Sequence, residues 1–573
     1  MYILGISAME HDPAAALVGE HGVIAAMEEG KLARTRSFEG IPRAAIDFCL
    51  HQAGIGWAQV HRIAIASRPA RGWSRQALLR ARLAPLAPIS SGYFVNKAFG
   101  QLGTELNNFR ILRGMAGPPR GRILPTDHHL CHAASAYYAS DFDRALILSL
   151  DENGGGRSGM AAIGEGKSIR EIASVAFPHS LAWVFSQVTQ LIGFRRRGDE
   201  HKTQWLSLSG EPVFASLFLE ILRRGSQGPP HLNTKYFRRG YSGELSFSAD
   251  FYRRLGISKI PGPDSQLGDP LRANLAASIQ GACATIVSDW LECLRRKTGE
   301  TNLALAGGLF LNPLLVAATE KNTGFDEIFV QPAAGNEGTA LGAARLSWHG
   351  APKRPRLPAM THVHYGPSYS NEEIKSVLDN CKATYRWCDS EDRTTEETLR
   401  LLESGKIVAW FQGRAEFGPR ALGHRSLLAS PWAPYVKENL NDYVKHRESF
   451  RPFALSVPAG DVPAYFDCSA NTRFMTTMAT ATEKGRRLLE ALPPGFLLPG
   501  NLVRLHAVTQ DENPLLWKLL KRSGEKAPAP MLVNTSFNLF GEPLVITPRD
   551  AVRSYYCSGA DALVMGSFLL TKR

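Results

Sequence analysis

The stretch Phe411-Gln-Gly-Arg-Ala-Glu-Phe-Gly-Pro-Arg-Ala-Leu-Gly-His-Arg-Ser426 carries the densest chemistry in the chain. Arg414, Arg420 and Arg425 offer planar forks that match phosphate or carboxylate oxygens. The interspersed glycines let a backbone approach a ligand closely, and Glu416 is placed to hold one fork. A second basic group follows at Lys445-His-Arg-Glu-Ser-Phe-Arg-Pro-Phe453, contributing Lys445, Arg447 and Arg451. Together they predict a pocket for a small, doubly charged oxyanion. The loop comes directly after Ile407-Val-Ala-Trp-Phe411, which reads as a strand, a usual setting for a phosphate site.

Asp127-His-His-Leu-Cys-His-Ala-Ala-Ser-Ala-Tyr-Tyr138 suggests a different chemistry. His128 and His132 are four apart, on one face of a helix. With Asp151 from the end of the strand Ala145–Leu150 as third ligand, they suit a divalent transition metal. Leu303 to Asn312 runs from a strand into Gly307-Gly308, a turn that lets backbone pass close under a nucleotide base or ribose. The turn at Gly335 opens a small-residue helix, another anion-friendly setting. Near the C-terminus, Met531-Leu-Val-Asn-Thr-Ser-Phe-Asn538 delivers the amides of Asn534 and Asn538 and the hydroxyl of Ser536 from a strand into a loop.

These groups need elements to hold them. Tyr2–Ser7, Ala14–Val18 and Gly22–Met27 read as three antiparallel strands joined by tight polar turns at His11-Asp12-Pro13 and 19–22. The pattern recurs at Ala145–Leu150, Ser158–Ile163 and Ile169–Val175, each trio followed by helix-like sequence. Such a duplicated unit resembles actin-like ATPase domains, whose first turns face nucleotide phosphates. Trp73 to Arg113 is basic and helix-rich, with Leu78, Leu79, Leu83 and Leu86 on an amphipathic spacing. Residues 351–367 read as a linker between a domain at 1–350 and a second α/β domain at 368–573. In the second domain, Ser370-Asn-Glu-Glu373 and Thr394-Thr-Glu-Glu397 predict capping boxes, the latter helix ending at Gly405.

Composition narrows the class. The chain has 573 residues, 44% hydrophobic, and a net charge of +13. That length suggests two to four domains. The charge is spread in short groups without a nucleic-acid-binding motif, which fits an anionic small substrate better than nucleic acid. No apolar run is long enough for a bilayer, and the N-terminus lacks the marks of a signal peptide. The eight cysteines show no CxxC spacing, which points to a reduced, cytoplasmic protein.

Taken together, the chain resembles the O-carbamoyltransferases of the nodulation protein U and antibiotic-tailoring carbamoyltransferase family. The residues that carry the resemblance are His11-Asp12, Glu28-Glu29, His128-His129 with His132, Leu305-Ala-Gly-Gly308, Gly413 to Gly423, Arg447 with Arg451-Pro-Phe453, and Asn534-Thr-Ser-Phe-Asn538. The resemblance implies an actin-like (ASKHA) domain, similar to the tRNA-threonylcarbamoylation ATPase, joined to a YrdC-like domain. It implies that the YrdC-like domain makes carbamoyl adenylate from carbamoyl phosphate and ATP. The actin-like domain then passes the carbamoyl group to a hydroxyl and releases AMP. It assigns the oxyanion site to Arg414, Glu416, Arg420, Arg425, Lys445, Arg447, Arg451, Arg504, Asn534, Ser536 and Asn538, with Arg420 catalytic. Asp12, Gly307, Gly308, Asn312 and Gly335 fall to the nucleotide. His128, His132, Asp151 and Asn336 fall to ferrous iron or another divalent metal, and His11 is the candidate general base.

The chain departs from the family pattern at three places. Asn336 stands where the family usually has aspartate, Glu200-His-Lys-Thr-Gln-Trp205 replaces a Glu-Tyr-Lys-Val-Met-Gly segment, and Pro499-Gly-Asn501 replaces Asp-Gly-Thr, with Arg504 retained. The expected acceptor is a hydroxyl of a secondary metabolite, such as an antibiotic macrolide, ansamycin or sugar, with no nucleic acid or membrane partner. The rival readings are a tRNA threonylcarbamoyl-type transferase and a non-catalytic actin-like regulator.

Overall fold

The computed structural model describes residues 1–8, 11–36, 38–67, 103, 107–115, 122–224, 228–239, 245–257 and 267–572. The helix expected from the leucines at 78–86 lies outside them. The chain is mixed α/β and divides into two compact units. Met1–Gly22, Glu39–Pro42 and Gly54–Ala359 form the first, and Val23–Phe38, Arg43–Ala53 and Met360–Arg573 form the second. The stretch expected as a linker is thus shared, 351–359 going to the first unit and 360–367 to the second.

The strands read from the sequence are present. They are β1 (Tyr2–Ser7), β2 (Ala14–Gly19) and β3 (Gly22–Glu28). The chain continues through β4 (Val60–Ile65), β5 (Arg122–Pro125) and helix α1 (His128–Tyr137). The second trio follows as β6 (Arg144–Gly154), β7 (Arg157–Glu165) and β8 (Ser168–Ala176). The unit closes with the long helix α2 (Asp269–Thr298), β9 (Asn302–Ala306), β10 (Glu327–Val330) and α3 (Asn336–His349). β1 is antiparallel to β2 and parallel to β4, which is parallel to β5. β6 repeats this, antiparallel to β7 and parallel to β9, which is parallel to β10.

β1, β2 and most of β6 are buried apolar runs, as strands covered on both faces must be. The covering helices are α3, against β1, β2, β4 and α1, and α1, against β6 and β9. They meet closely because Gly342 has no side chain: a Cβ there would overlap the Cys131 carbonyl oxygen. Asp127 caps α1 by accepting from the Leu130 amide at 3.2 Å, which fixes the turn that bears His128 and His132.

The second unit is built on an eight-stranded sheet. Its strands are β11 (Arg386–Trp387), β12 (Val408–Phe411), β13 (Arg425–Ala429), β14 (Ala454–Pro458), β15 (Leu505–Val508), β16 (Leu532–Ser536), β17 (Ala562–Met565) and β18 (Phe568–Thr571). Their order is β11-β18-β17-β12-β13-β16-β14-β15. Alternate residues feed two cores: Phe411, Leu427, Leu505 and Val533 on one side, Trp410, Leu428, Val508 and Leu532 on the other. The capping box at Ser370 and Glu373 is present. The one expected at Thr394 is not: the helix starts at Glu391, and Ser390 caps it by accepting from the Arg393 amide at 3.2 Å. Thr394 lies one turn inside, its hydroxyl turned back to the Ser390 carbonyl at 3.0 Å. Glu391 and Asp392 favour the earlier start because acidic groups suit a helix N-terminus.

Candidate active sites

In the first unit, α1 presents His128 and His132 one turn apart, facing the end of β6. The two Nε2 atoms are 3.1 Å apart, and Asp151 Oδ2 lies 3.4 Å from the first and 3.2 Å from the second. All three are buried and offer ligand atoms within 4.8 Å of one another. Gly154 is required here, because a Cβ at that position would overlap the His128 ring. Burial works to raise the Asp151 carboxyl, but the hydrogen bonds from His128 and His132 outweigh it and hold the group well below the usual carboxylate range. Burial also lowers His132, leaving a neutral imidazole ready to ligate. His129 is different: its Nε2 donates to the Arg157 carbonyl at 3.1 Å and its Nδ1 pairs with the Ser149 hydroxyl at 2.8 Å, so it belongs to the scaffold.

Asn336, the first residue of α3, joins this cluster. Its Nδ2 donates to the His11 carbonyl at 3.3 Å and lies 3.4 Å from His11 Nε2. Its Oδ1 is buried and makes no hydrogen bond among the described residues. An orphaned amide oxygen beside two imidazoles and an ionised carboxylate fits a divalent metal of the iron-to-zinc group. His11 Nδ1 lies 2.7 Å from Asp12 Oδ2, which leaves Nε2 toward Asn336. Gly307 has φ +96°, and a Cβ there would overlap the Leu150 backbone; one at Gly308 would come 3.0 Å from Asp151 Oδ1. The pair therefore clears space beside the end of β6. Asn312 is taken up in capping: its Oδ1 accepts from the Leu315 amide at 3.0 Å and its Nδ2 donates to Gln280 at 2.7 Å. Gly335 is the residue before α3.

In the second unit, the arginines of the glycine-rich stretch separate. Arg425 is fully buried on β13, its guanidinium donating to the carbonyls of Gln412, His424, Pro367 and Gly413 and lying 3.7 Å from the centre of the Phe411 ring. Arg414 donates to the carbonyls of Gly366, Ile24 and Tyr365. Both tie backbone together. Glu416 does likewise: its Oε1 accepts from the amides of Leu422, His424 and Arg425 rather than holding a guanidinium.

Arg420 instead joins the later basic residues. Burial, then the charge of Arg451, pushes it down to about 10. The same two causes push Arg447 down to about 9. Arg504 falls well below the usual arginine range through burial and then Arg420, Arg447 and Arg451. Lys445 is lowered strongly by burial and then by Arg447, Arg451 and Arg36. Four buried cationic side chains, each lowered further by the charge of Arg451, make a site of concentrated positive charge, which an oxyanion would relieve. Lys445 Nζ donates to Asn538 Oδ1 at 2.6 Å and to the Ser536 carbonyl at 2.7 Å, and lies 3.3 Å from the Ser536 hydroxyl. Asn534 turns to the Ser456 hydroxyl and His506 Nδ1, at 3.0 and 3.2 Å, and its buried Oδ1 makes no hydrogen bond among the described residues. Sequence reasoning missed Arg36, which is far away in the chain. It also missed His506, which lies on β15 two residues after Arg504.

The family model for the carbamoyltransferase N-terminus matches residues 2–345, and that for the carbamoyltransferase C-terminus matches 399–572. The chain belongs to the carbamoyltransferase family and is a carbamoyltransferase enzyme. An uncharacterized protein of Synechocystis sp. is 34% identical, over 100% of this chain and 97% of that one. Nodulation protein NolNO of Sinorhizobium fredii is 31% identical, over 98% and 79%. A 3'-hydroxymethylcephem-O-carbamoyltransferase of Amycolatopsis lactamdurans is 28% identical, over 54% and 58%. Among the described residues no helix is long and apolar enough to cross a membrane.

Proposed function

We propose that this carbamoyltransferase is ATP-dependent and works in two steps, with carbamoyl phosphate activated in a YrdC-like second unit and transfer carried out in an actin-like first unit. The observation that carries the reading is the gathering of Arg420, Arg447, Arg504 and Lys445, all buried and all lowered further by the charge of Arg451, within a carbamoyltransferase chain. Carbamoyl phosphate and ATP are polyanions, and these side chains would bind their phosphoryl oxygens and stabilise the charge that develops as phosphate leaves. Forming carbamoyl adenylate consumes one water and releases inorganic phosphate and pyrophosphate.

In the first unit, His11 would take the acceptor hydroxyl's proton at Nε2, with Asp12 holding the ring through Nδ1. His128, His132, Asp151 and the Asn336 oxygen would hold a ferrous or other divalent ion. When bound, that ion supplies charge neutralisation beside the reacting phosphate or carbonyl. Transfer to the hydroxyl releases AMP. The name of the cephem relative supports a hydroxyl on a small secondary metabolite as acceptor, and a cytoplasmic setting suits both ATP and carbamoyl phosphate.

The test is mass spectrometry of the purified protein with carbamoyl phosphate and ATP, without acceptor, with and without ferrous iron. Carbamoyl adenylate, or AMP with pyrophosphate, is expected, and Arg420→Ala abolishes it. No product under any metal condition would overturn the two-step reading.

A further inference from the structure

The segment from the end of β3 onward reaches two turns of the second unit. Lys31 Nζ donates to the carbonyls of Glu416 at 3.0 Å and Gly418 at 2.6 Å, and pairs with Glu28 Oε1 at 2.8 Å. The same Glu28 oxygen accepts from the Gly418 amide at 2.8 Å. Glu28 and Lys31 therefore grip both polar groups of Gly418, whose φ of +107° turns them to meet the pair. Arg420, two residues on, leaves the backbone from this gripped turn. The ion pair is well shielded, with side-chain exposures of 12% and 11%, so it is screened little by salt.

Three residues further along, Arg34 grips the second turn. It donates to the carbonyls of Pro543 at 3.0 Å and Leu544 at 2.6 Å, and to Glu542 Oε2 at 2.9 Å. Arg36 Nε donates to the Glu542 carbonyl at 3.1 Å, and Asn538 Nδ2 donates to that same carbonyl at 2.7 Å. Asn538 Oδ1 in turn holds Lys445. One short segment thus fastens the turn that aims Arg420 and the turn that holds Lys445.

We propose that Lys31, with Glu28, and Arg34 are positioning residues for the oxyanion pocket, setting the spacing between Arg420 and Lys445. The inference rests on the reading of that pocket as the carbamoyl phosphate site. Lys31 and Arg34 act through the two turns, whereas Arg36 also acts on Lys445 through its charge. A small displacement of a positioned charge is enough to lower affinity and rate, because phosphate binding by several cations depends on their convergence.

The experiment uses the full chain and two probes: pyrophosphate binding by calorimetry, and carbamoyl phosphate-dependent release of pyrophosphate from ATP. Lys31→Met and Arg34→Met are each expected to weaken pyrophosphate binding at least tenfold and to raise the KM for carbamoyl phosphate more than they lower kcat. Lys31→Arg, which keeps a cation at the same place, should recover most of the affinity, a rescue that a general loss of packing would not give. Should Lys31→Met fail to fold, Glu28→Gln keeps the shape while weakening the grip, with a three- to tenfold loss expected. Wild-type affinity in the folded variants, within twofold, overturns the proposal. If the wild-type chain itself binds no pyrophosphate, the reading of the pocket fails and the positioning proposal falls with it.

Discussion

Arg451 lowers Arg420, Arg447, Arg504 and Lys445 alike, so replacing it should separate stability from binding. In Arg451→Met the aliphatic stem is kept and the charge removed. Burial is the first cause at each neighbour and the charge of Arg451 adds to it, so removing that charge relieves all four. Against it stands the lost contact with Glu448, 3.6 Å away and worth about 0–1 kcal/mol at such exposure. The variant without ligand should therefore unfold at a higher temperature than wild type. Its affinity for carbamoyl phosphate should fall about 10- to 150-fold, the cost of about 1.5–3 kcal/mol for one charge-assisted hydrogen bond. Thermal unfolding with and without carbamoyl phosphate reads both quantities, since bound ligand stabilises in proportion to the logarithm of its saturation. A variant that melts lower without ligand and binds carbamoyl phosphate as well as wild type would refute the reasoning.

Three further outcomes follow from the geometry. Asn336→Asp adds a carboxylate to the His128, His132 and Asp151 cluster and should tighten binding of Co2+ or Fe2+ tenfold or more, read by competition calorimetry; unchanged affinity would remove Asn336 from the ligand set. Gly342→Ala drives a Cβ into the Cys131 carbonyl and should cost about 3 kcal/mol, read by denaturant unfolding of the first unit. The third outcome concerns acid. Burial pushes His506 down to about 4 and, with Arg425, His424 down to about 3, beside His362, His364, Glu416, Arg473 and Glu512. Unfolded, these histidines take up protons below their ordinary value of 6.5; folded, they do so only near 3–4. The second unit should thus hold its stability above about pH 6.5 and lose it progressively as the pH falls from there toward 4; His506→Gln should make that loss shallower.

The strands were legible because buried strands write themselves as apolar runs broken by polar turns, and β1, β2, β6 and β7 do so clearly. The histidine–aspartate cluster was legible because His128 and His132 share a helix face and Asp151 lies on the strand beside it. Which arginines serve the scaffold was not. Arg414, Arg420 and Arg425 are chemically alike, and only their surroundings separate them: Arg425 begins the apolar strand Arg-Ser-Leu-Leu-Ala and is swallowed by the sheet, while Arg420 stays on the loop. The part played by residues 28–36 was hidden for another reason. Their partners lie 385 to 510 positions away, beyond any spacing rule, and Glu28-Glu29 reads locally only as the end of a strand. The capping error at Thr394 came from accepting a motif without asking whether an earlier serine could cap first.

The account's central claim is that activation belongs to the arginine pocket of the second unit and transfer to the histidine cluster of the first. The direct measurement is carbamoyl phosphate-dependent pyrophosphate release from ATP in three proteins: wild type, Asp151→Asn and Arg504→Met. The account predicts release by wild type and by Asp151→Asn, and none above background by Arg504→Met. Release that survives in Arg504→Met and disappears in Asp151→Asn would contradict it.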